Sequence, residues 1–89
     1  MNKRGKLEIM KDILQIIQIN NSIKPTPLQR KSNISSLRFK SYYKELLEKN
    51  LIREIINSKN EKSIILTDKG FKFLSKYNTI INFIQEFEL

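Results

Sequence analysis

The sequence has no cysteine, histidine, tryptophan, alanine or valine, and only two glycines and two prolines in 89 residues. Without cysteine there is no disulfide framework, no thiolate nucleophile and no sulfur ligand. Without histidine there is no imidazole base and no nitrogen ligand for zinc or iron. Catalysis would fall to carboxylates. Asp12, Glu45, Glu48 and Asp68 show no spacing that pairs them with a second acid, a nucleophile or a glycine-rich phosphate loop. Each reads as a helix-face or capping residue, so neither an enzyme nor a cofactor is expected.

Long hydrophobic runs are missing as well. The basic start (Lys3, Arg4, Lys6) gives way to Glu8, Lys11 and Asp12 where a signal peptide would turn apolar. The longest uncharged stretch, Ile13–Ile23, carries Gln15, Gln18, Asn20, Asn21 and Ser22, and is too short and too polar to span a bilayer. A cytoplasmic protein without a membrane partner is expected. No repeat or linker interrupts the chain, and its length suits one domain over residues 1–89. So small a domain buries a modest share of its surface. With disulfides and metals excluded, a partner subunit is the remaining source of added stability.

The abundant residues are fifteen isoleucines, thirteen lysines and nine asparagines, and the net charge is +8. The charge is unevenly placed. No acid falls between Asp12 and Glu45, whereas Lys24, Arg30, Lys31, Arg38, Lys40 and Lys44 all do. Outside that interval the charges are nearly balanced, so the positive field belongs to the middle of the chain.

Leu7, Met10, Ile13, Leu14 and Ile17 recur at three- and four-residue steps and predict an amphipathic helix over Lys6–Asn20, its stripe widened by Ile9 and Ile16. Asn20, Asn21 and Ser22 stop it. Thr26 is the expected N-cap of a short second helix over Pro27–Ser32, because proline is tolerated only in a first helical turn. Asn33 supplies a turn and Ile34 an apolar plug. Ser35 or Ser36 then caps a third helix running to about Lys49. On that helix Phe39, Tyr42, Tyr43 and Leu46 share an apolar side, and both tyrosines read as core. Leu37, Lys40, Ser41, Lys44 and Glu48 face the other way. Leu51–Ile56 and Ser63–Thr67 read as two strands joined by the polar connector Asn57–Lys62. Thr67 or Asp68 opens a last helix in which Gly70 permits close packing.

The run Thr26–Ile52, TPLQRKSNISSLRFKSYYKELLEKNLI, and the junction Ile65–Leu74, ILTDKGFKFL, resemble the small, basic archaeal winged helix-turn-helix DNA-binding proteins and transcriptional regulators. The likeness extends over roughly residues 6–88. LTDKG and the LLEKNLI run from Leu46 to Ile52 mark the fold and not the target. Asn50 stands where such proteins usually carry glycine, a substitution compatible with a left-handed cap. The last helix is shorter than in chromatin-associated members. The resemblance implies a mainly α (α+β) fold: three helices, a two-stranded β-hairpin wing and a C-terminal helix.

The residues themselves indicate how such a fold would work. A helix about 10–12 Å across fits the major groove of duplex DNA. The DNA-contacting set is then Ser35, Ser36, Leu37, Arg38, Lys40, Ser41 and Lys44 on the third helix, Arg30 and Lys31 before it, and Lys59 and Lys62 in the hairpin tip. Arg38 suits a bidentate contact to guanine and Leu37 a thymine methyl, whereas Arg30, Lys31, Lys40 and Lys44 suit phosphates. In the last helix, Phe73, Tyr77, Ile80, Ile84 and Phe87 follow the four-three spacing of a coiled-coil seam, with Leu74 and Ile81 beside it. Residues 68–88 are accordingly expected to join two copies through Phe73, Tyr77, Ile80, Ile81, Ile84 and Phe87. The expected function is a homodimeric, sequence-specific regulator bound to double-stranded DNA, with no small-molecule ligand indicated. An architectural DNA-binding protein and a winged-helix protein-interaction module are the alternatives.

Overall fold

In a computed structural model describing residues 4–89, helix α1 (Lys6–Asn20) buries Ile9, Met10, Ile13, Leu14 and Ile17 along the stripe that its periodicity predicts. Lys3 of the basic start lies outside the described residues. Leu7 departs from the stripe. It sits in the first turn, beyond the reach of the core, and is 61% exposed.

Helix α2 (Pro25–Ser32) begins two residues earlier than expected, with Lys24 as N-cap in place of Thr26. The first N–H to close an α-helical bond is that of Leu28, to the Lys24 carbonyl. Pro25 and Pro27 therefore both occupy positions where no helical donor is needed. Asn33 ends the helix in the left-handed region, at φ 59°, and reverses the chain into α3 (Ser36–Glu48). Ser35 caps α3 by accepting the Arg38 N–H.

Helix α3 closes with a two-bond cap in which the Asn50 N–H reaches the Leu47 carbonyl and the Leu51 N–H reaches Leu46. Asn50 has φ 60°, so asparagine does here what glycine usually does. Strands β1 (Ile52–Ile56), which starts one residue later than predicted, and β2 (Lys62–Leu66), which lies one residue earlier than predicted, pair antiparallel with Ile52 opposite Leu66 and Ile56 opposite Lys62. Ile23, between α1 and α2, adds a rung to the sheet by exchanging both backbone hydrogen bonds with Ile64.

Helix α4 (Asp68–Glu86) starts from a Thr67 cap that accepts the Gly70 N–H. A Cβ at Gly70 would stand 2.2 Å from the Leu51 carbonyl oxygen, so only glycine lets the helix lie this close to the start of the hairpin. The helix stops two residues short of the predicted limit, with Glu88 at φ 54°.

The fold is mainly helical with one two-stranded sheet, as expected. One apolar cluster unites α1, Leu28 of α2, Phe39 and Leu46 of α3, the hairpin's Ile52, Ile64 and Leu66, and Leu74 of α4. Within α4 only Gly70 and Leu74 are buried. Its second half runs free of the core, and the molecule measures 50 × 29 × 21 Å. Among the described residues no helix is long and apolar enough to cross a membrane.

Candidate nucleic-acid interface

The sequence of α3 divides it into two faces. Phe39 and Leu46 are buried and Tyr42, Tyr43 and Leu47 pack against the core, while Ser36, Leu37, Arg38, Lys40, Ser41 and Lys44 all face solvent. Leu37 is 81% exposed. It is an apolar side chain on the first turn of an otherwise polar face, where it takes no part in this chain's own core.

The serines at the start of α3 fix its entry. The Ser35 hydroxyl holds the Arg38 N–H at 3.3 Å, and the Ser36 hydroxyl accepts from Gln29 Nε2 of α2 at 3.0 Å. Gln29, which the sequence reading passed over, thus ties the two helices together beside the exposed face. The turn between them is braced from the N-terminal side. Arg4 donates to the carbonyls of Ser32 and Asn33, at 3.0 and 3.3 Å, and forms an ion pair with Asp12 at 2.8 Å. Partial burial pushes the Asp12 carboxyl up, but hydrogen bonds from Lys11 and Arg4 outweigh it and hold the group below its ordinary range.

The cations differ in their partners. Among the described residues, Arg30, Lys31, Arg38, Lys40 and Lys44 enter no ion pair, whereas Lys6, Lys11, Lys24, Lys49 and Lys62 each have a carboxylate within 4 Å. Of the cations in the acid-free interval, folding neutralises Lys24, through Glu61, and leaves the other five without an acidic partner among the described residues.

Two of the predicted contacts are repositioned. Lys62 is not in the hairpin tip. It opens β2 opposite Ile56 and lies 3.4 Å from Glu54, which also accepts a short hydrogen bond from the Tyr43 hydroxyl. Burial, reinforced by that carboxylate, pushes the Tyr43 phenol well above its ordinary pKa. Lys31 lines a hollow on the α1 side with Arg4, Asp12 and Ile19. Lys40 instead lines a groove of about 250 Å³ between α2, α3 and the hairpin, with Gln29, Tyr43, Glu54 and Lys62. Lys59 does sit at the exposed tip, where the Asn57 side chain accepts the N–H groups of Lys59 and Glu61. Arg53, exposed on β1 and unpaired among the described residues, was missed because its strand reads as apolar.

Of the predicted α4 seam, Phe73 and Tyr77 are partly buried with stacked rings, and Lys11 lies over Tyr77 at 5.7 Å. Ile81 is half-buried. Ile80 and Phe87 are each 58% exposed, and Ile84 is exposed beside them. Leu7 and Phe83 belong to this surface too. The sequence places Leu7 on the apolar stripe of α1, and Phe83 lies off the regular spacing.

A family model described as winged helix-turn-helix matches residues 3–85. The chain belongs to that family. Among solved structures, this winged helix-turn-helix chain is similar to Sso10a-2, a DNA-binding protein from Sulfolobus solfataricus, at 20% identity and a TM-score of 0.76, covering 96% of this chain and 86% of that one. It is similar to MepR, a transcription regulator of the Staphylococcus aureus multidrug efflux pump MepA, at 15% identity and a TM-score of 0.75, covering 88% of this chain and 59% of that one. It is also similar to an E. coli MarR mutant complexed with operator DNA, at 16% identity and a TM-score of 0.67, covering 75% of this chain and 49% of that one. No curated protein sequence matches it. The chain thus spans most of the Sulfolobus protein but only half or somewhat more of the two regulators. At these identities the likeness is one of fold, a winged helix of the kind found in transcription regulators. The hairpin is accordingly the wing, and α2 and α3 are the two helices of the helix-turn-helix.

Proposed function

We propose that this winged helix-turn-helix protein is a sequence-specific, double-stranded DNA-binding transcriptional regulator that acts as a homodimer in the cytoplasm. The observation that carries the reading is the solvent face of α3. Arg38, Lys40 and Lys44 project from it without an acidic partner among the described residues, around an exposed Leu37 and the linked Ser36–Gln29 pair. Cations free of internal partners are the ones that phosphates can engage at little cost, and displacement of counterions then drives binding. Arg38 and Leu37, on the first turn, are assigned to base edges. Arg30, Lys31, Lys40, Lys44 and the wing's Lys59 are assigned to the backbone. Lys62, held by Glu54, contributes less than the sequence alone suggested.

Two copies joined through α4 would present two recognition helices. For half-sites one helical turn apart, about 34–36 Å, the operator would be palindromic. Binding-site selection from random duplexes, followed by titration of two variants, tests the reading. Arg38→Ala should cost about 1–3 kcal/mol at the preferred site and relax preference at one base pair. Lys44→Ala should weaken all duplexes alike and lower the salt slope by about 0.9. Selection that returns no preferred sequence, with affinity retained, would make the protein architectural. Absence of duplex binding at low salt would make it a protein-interaction module.

A further inference from the structure

Strand alternation places an acid on the inward side of the hairpin. Ile52, Glu54 and Ile56 of β1 share a face with Lys62, Ile64 and Leu66 of β2, and Ile52, Ile64 and Leu66 on that face are buried. Glu54 pairs with Ile64, so Lys62 is its diagonal neighbour. An aliphatic residue would suit this position if the core reached it. Instead the face runs on past the core and forms one wall of the groove between α2, α3 and the hairpin.

Among the residues lining that groove Glu54 is the one acid. It is held from two sides. The Tyr43 hydroxyl of α3 donates to the same carboxylate oxygen that lies 3.4 Å from Lys62 Nζ of β2. Lys40 lines the groove without an ion-pair partner among the described residues, and Gln29, whose amide reaches Ser36, joins the groove to the outer face of α3. Two lysines and a phenol lining one groove make a donor set suited to a phosphate, and the chain's own carboxylate stands among them.

Burial does not withdraw Lys62, whose side chain is 47% exposed. Neutralisation does. A lysine strengthens DNA binding by replacing counterions condensed on the phosphates, which requires net charge to offer. The Lys62–Glu54 pair offers none. The carboxylate cannot swing aside without giving up both Tyr43 and Lys62, and a phosphate entering the groove meets its charge at close range.

We propose that Glu54 is an internal counter-ion that keeps Lys62 out of the DNA contact, so that the wing holds every duplex less tightly than its lysines would allow. The proposal rests on the duplex-binding reading and adds to it a residue that works against binding. Glu54 acts through Lys62, on the part of the affinity that is independent of sequence, and leaves the choice of site to α3.

The test is a double-mutant cycle on duplex binding, titrated over a range of salt with the full chain. Glu54→Gln keeps an acceptor for the Tyr43 hydroxyl and removes the charge. It should raise affinity for all duplexes roughly tenfold at about 0.1 M salt and steepen the salt slope by about 0.9, the effect of one added phosphate contact. Lys62→Ala alone should change affinity less than about twofold, unlike Lys44→Ala, whereas Lys62→Ala in the Glu54→Gln chain should remove the whole gain. A gain that survives loss of Lys62 would overturn the proposal, since removal of any nearby acid would then suffice. So would a Lys62→Ala loss as large as that of Lys44→Ala, a measurement that needs no change at Glu54. Wild-type binding with no gain in Glu54→Gln overturns the role of Glu54 and leaves the regulator reading standing, and absence of duplex binding by the wild type overturns both.

Discussion

Helices α3 and α4 are built by the same local rules and end with opposite surfaces. Each starts from a hydroxyl side chain that accepts the N–H three residues on, Ser35 for Arg38 and Thr67 for Gly70. Each then buries a narrow apolar stripe. What differs is the unburied face, which is polar and cationic on α3 and apolar on the second half of α4. Capping and burial make a helix, but they are indifferent to its outer side. The outer residues are therefore where partner chemistry is written: in the function proposed above, phosphate and base edges for α3 and another hydrocarbon surface for α4.

The comparison breaks first at Gly70. Its replacement by alanine forces a Cβ to 2.2 Å from a backbone oxygen that cannot move away on its own, and should cost about 3 kcal/mol of folding stability in urea titration. The matching substitution on the front of α3, Leu37→Ala, removes an exposed side chain and should leave the unfolding midpoint unchanged. Equal losses in the two variants would contradict the division between a seated helix and a presenting one.

The caps sharpen it. Ser35→Ala and Thr67→Ala should each cost about 1 kcal/mol, a typical value for a lost N-cap. Only Ser35→Ala should also weaken duplex binding, because it frees the turn that carries Arg38. A smaller effect is expected of Leu37→Ala on DNA. It should lower discrimination for thymine at one position by about 0.8 kcal/mol, the value of a buried methylene-sized contact, with nonspecific affinity intact.

Much of this was legible in the sequence because periodicity, caps and turn residues are local. The α1 stripe, the Asn33 turn, the Asn50 cap and the Thr67 start are each set by neighbours within a few residues. What escaped depends on the third dimension. Leu7 fits the α1 period, yet the core ends before it reaches that turn. Pro25 reads as a loop residue until Leu28 is seen to make the first helical bond. The Ile23–Ile64 rung joins residues far apart in sequence. For the site, the sequence gathered the cations correctly on α3 but could not say which were neutralised. Only folding brings Glu54 beside Lys62 and leaves Lys40 and Lys44 unmatched.

The two surfaces are joined by one polar chain, and its acid sensitivity offers the last and smallest test. Arg4 grips the carbonyls at the α2–α3 turn and the Asp12 carboxylate, Asp12 holds Lys11 at 2.7 Å, and Lys11 lies over the Tyr77 ring of α4. Asp12 has its folded pKa depressed, so its stabilising contribution is present above the unfolded carboxyl pKa, about 3.9, and is lost as pH falls through the lower folded value. Lys11 has its pKa raised, chiefly by the Asp12 hydrogen bond, so its contribution persists through neutral pH and fades only as the ammonium deprotonates. Thermal midpoints should therefore be level from neutral pH down to about pH 5 and drop below it, and Asp12→Asn should lower the plateau while flattening the acid limb. A variant that keeps the full acid-dependent drop would show that carboxylates elsewhere govern it, and that the turn and α4 are not coupled through Asp12.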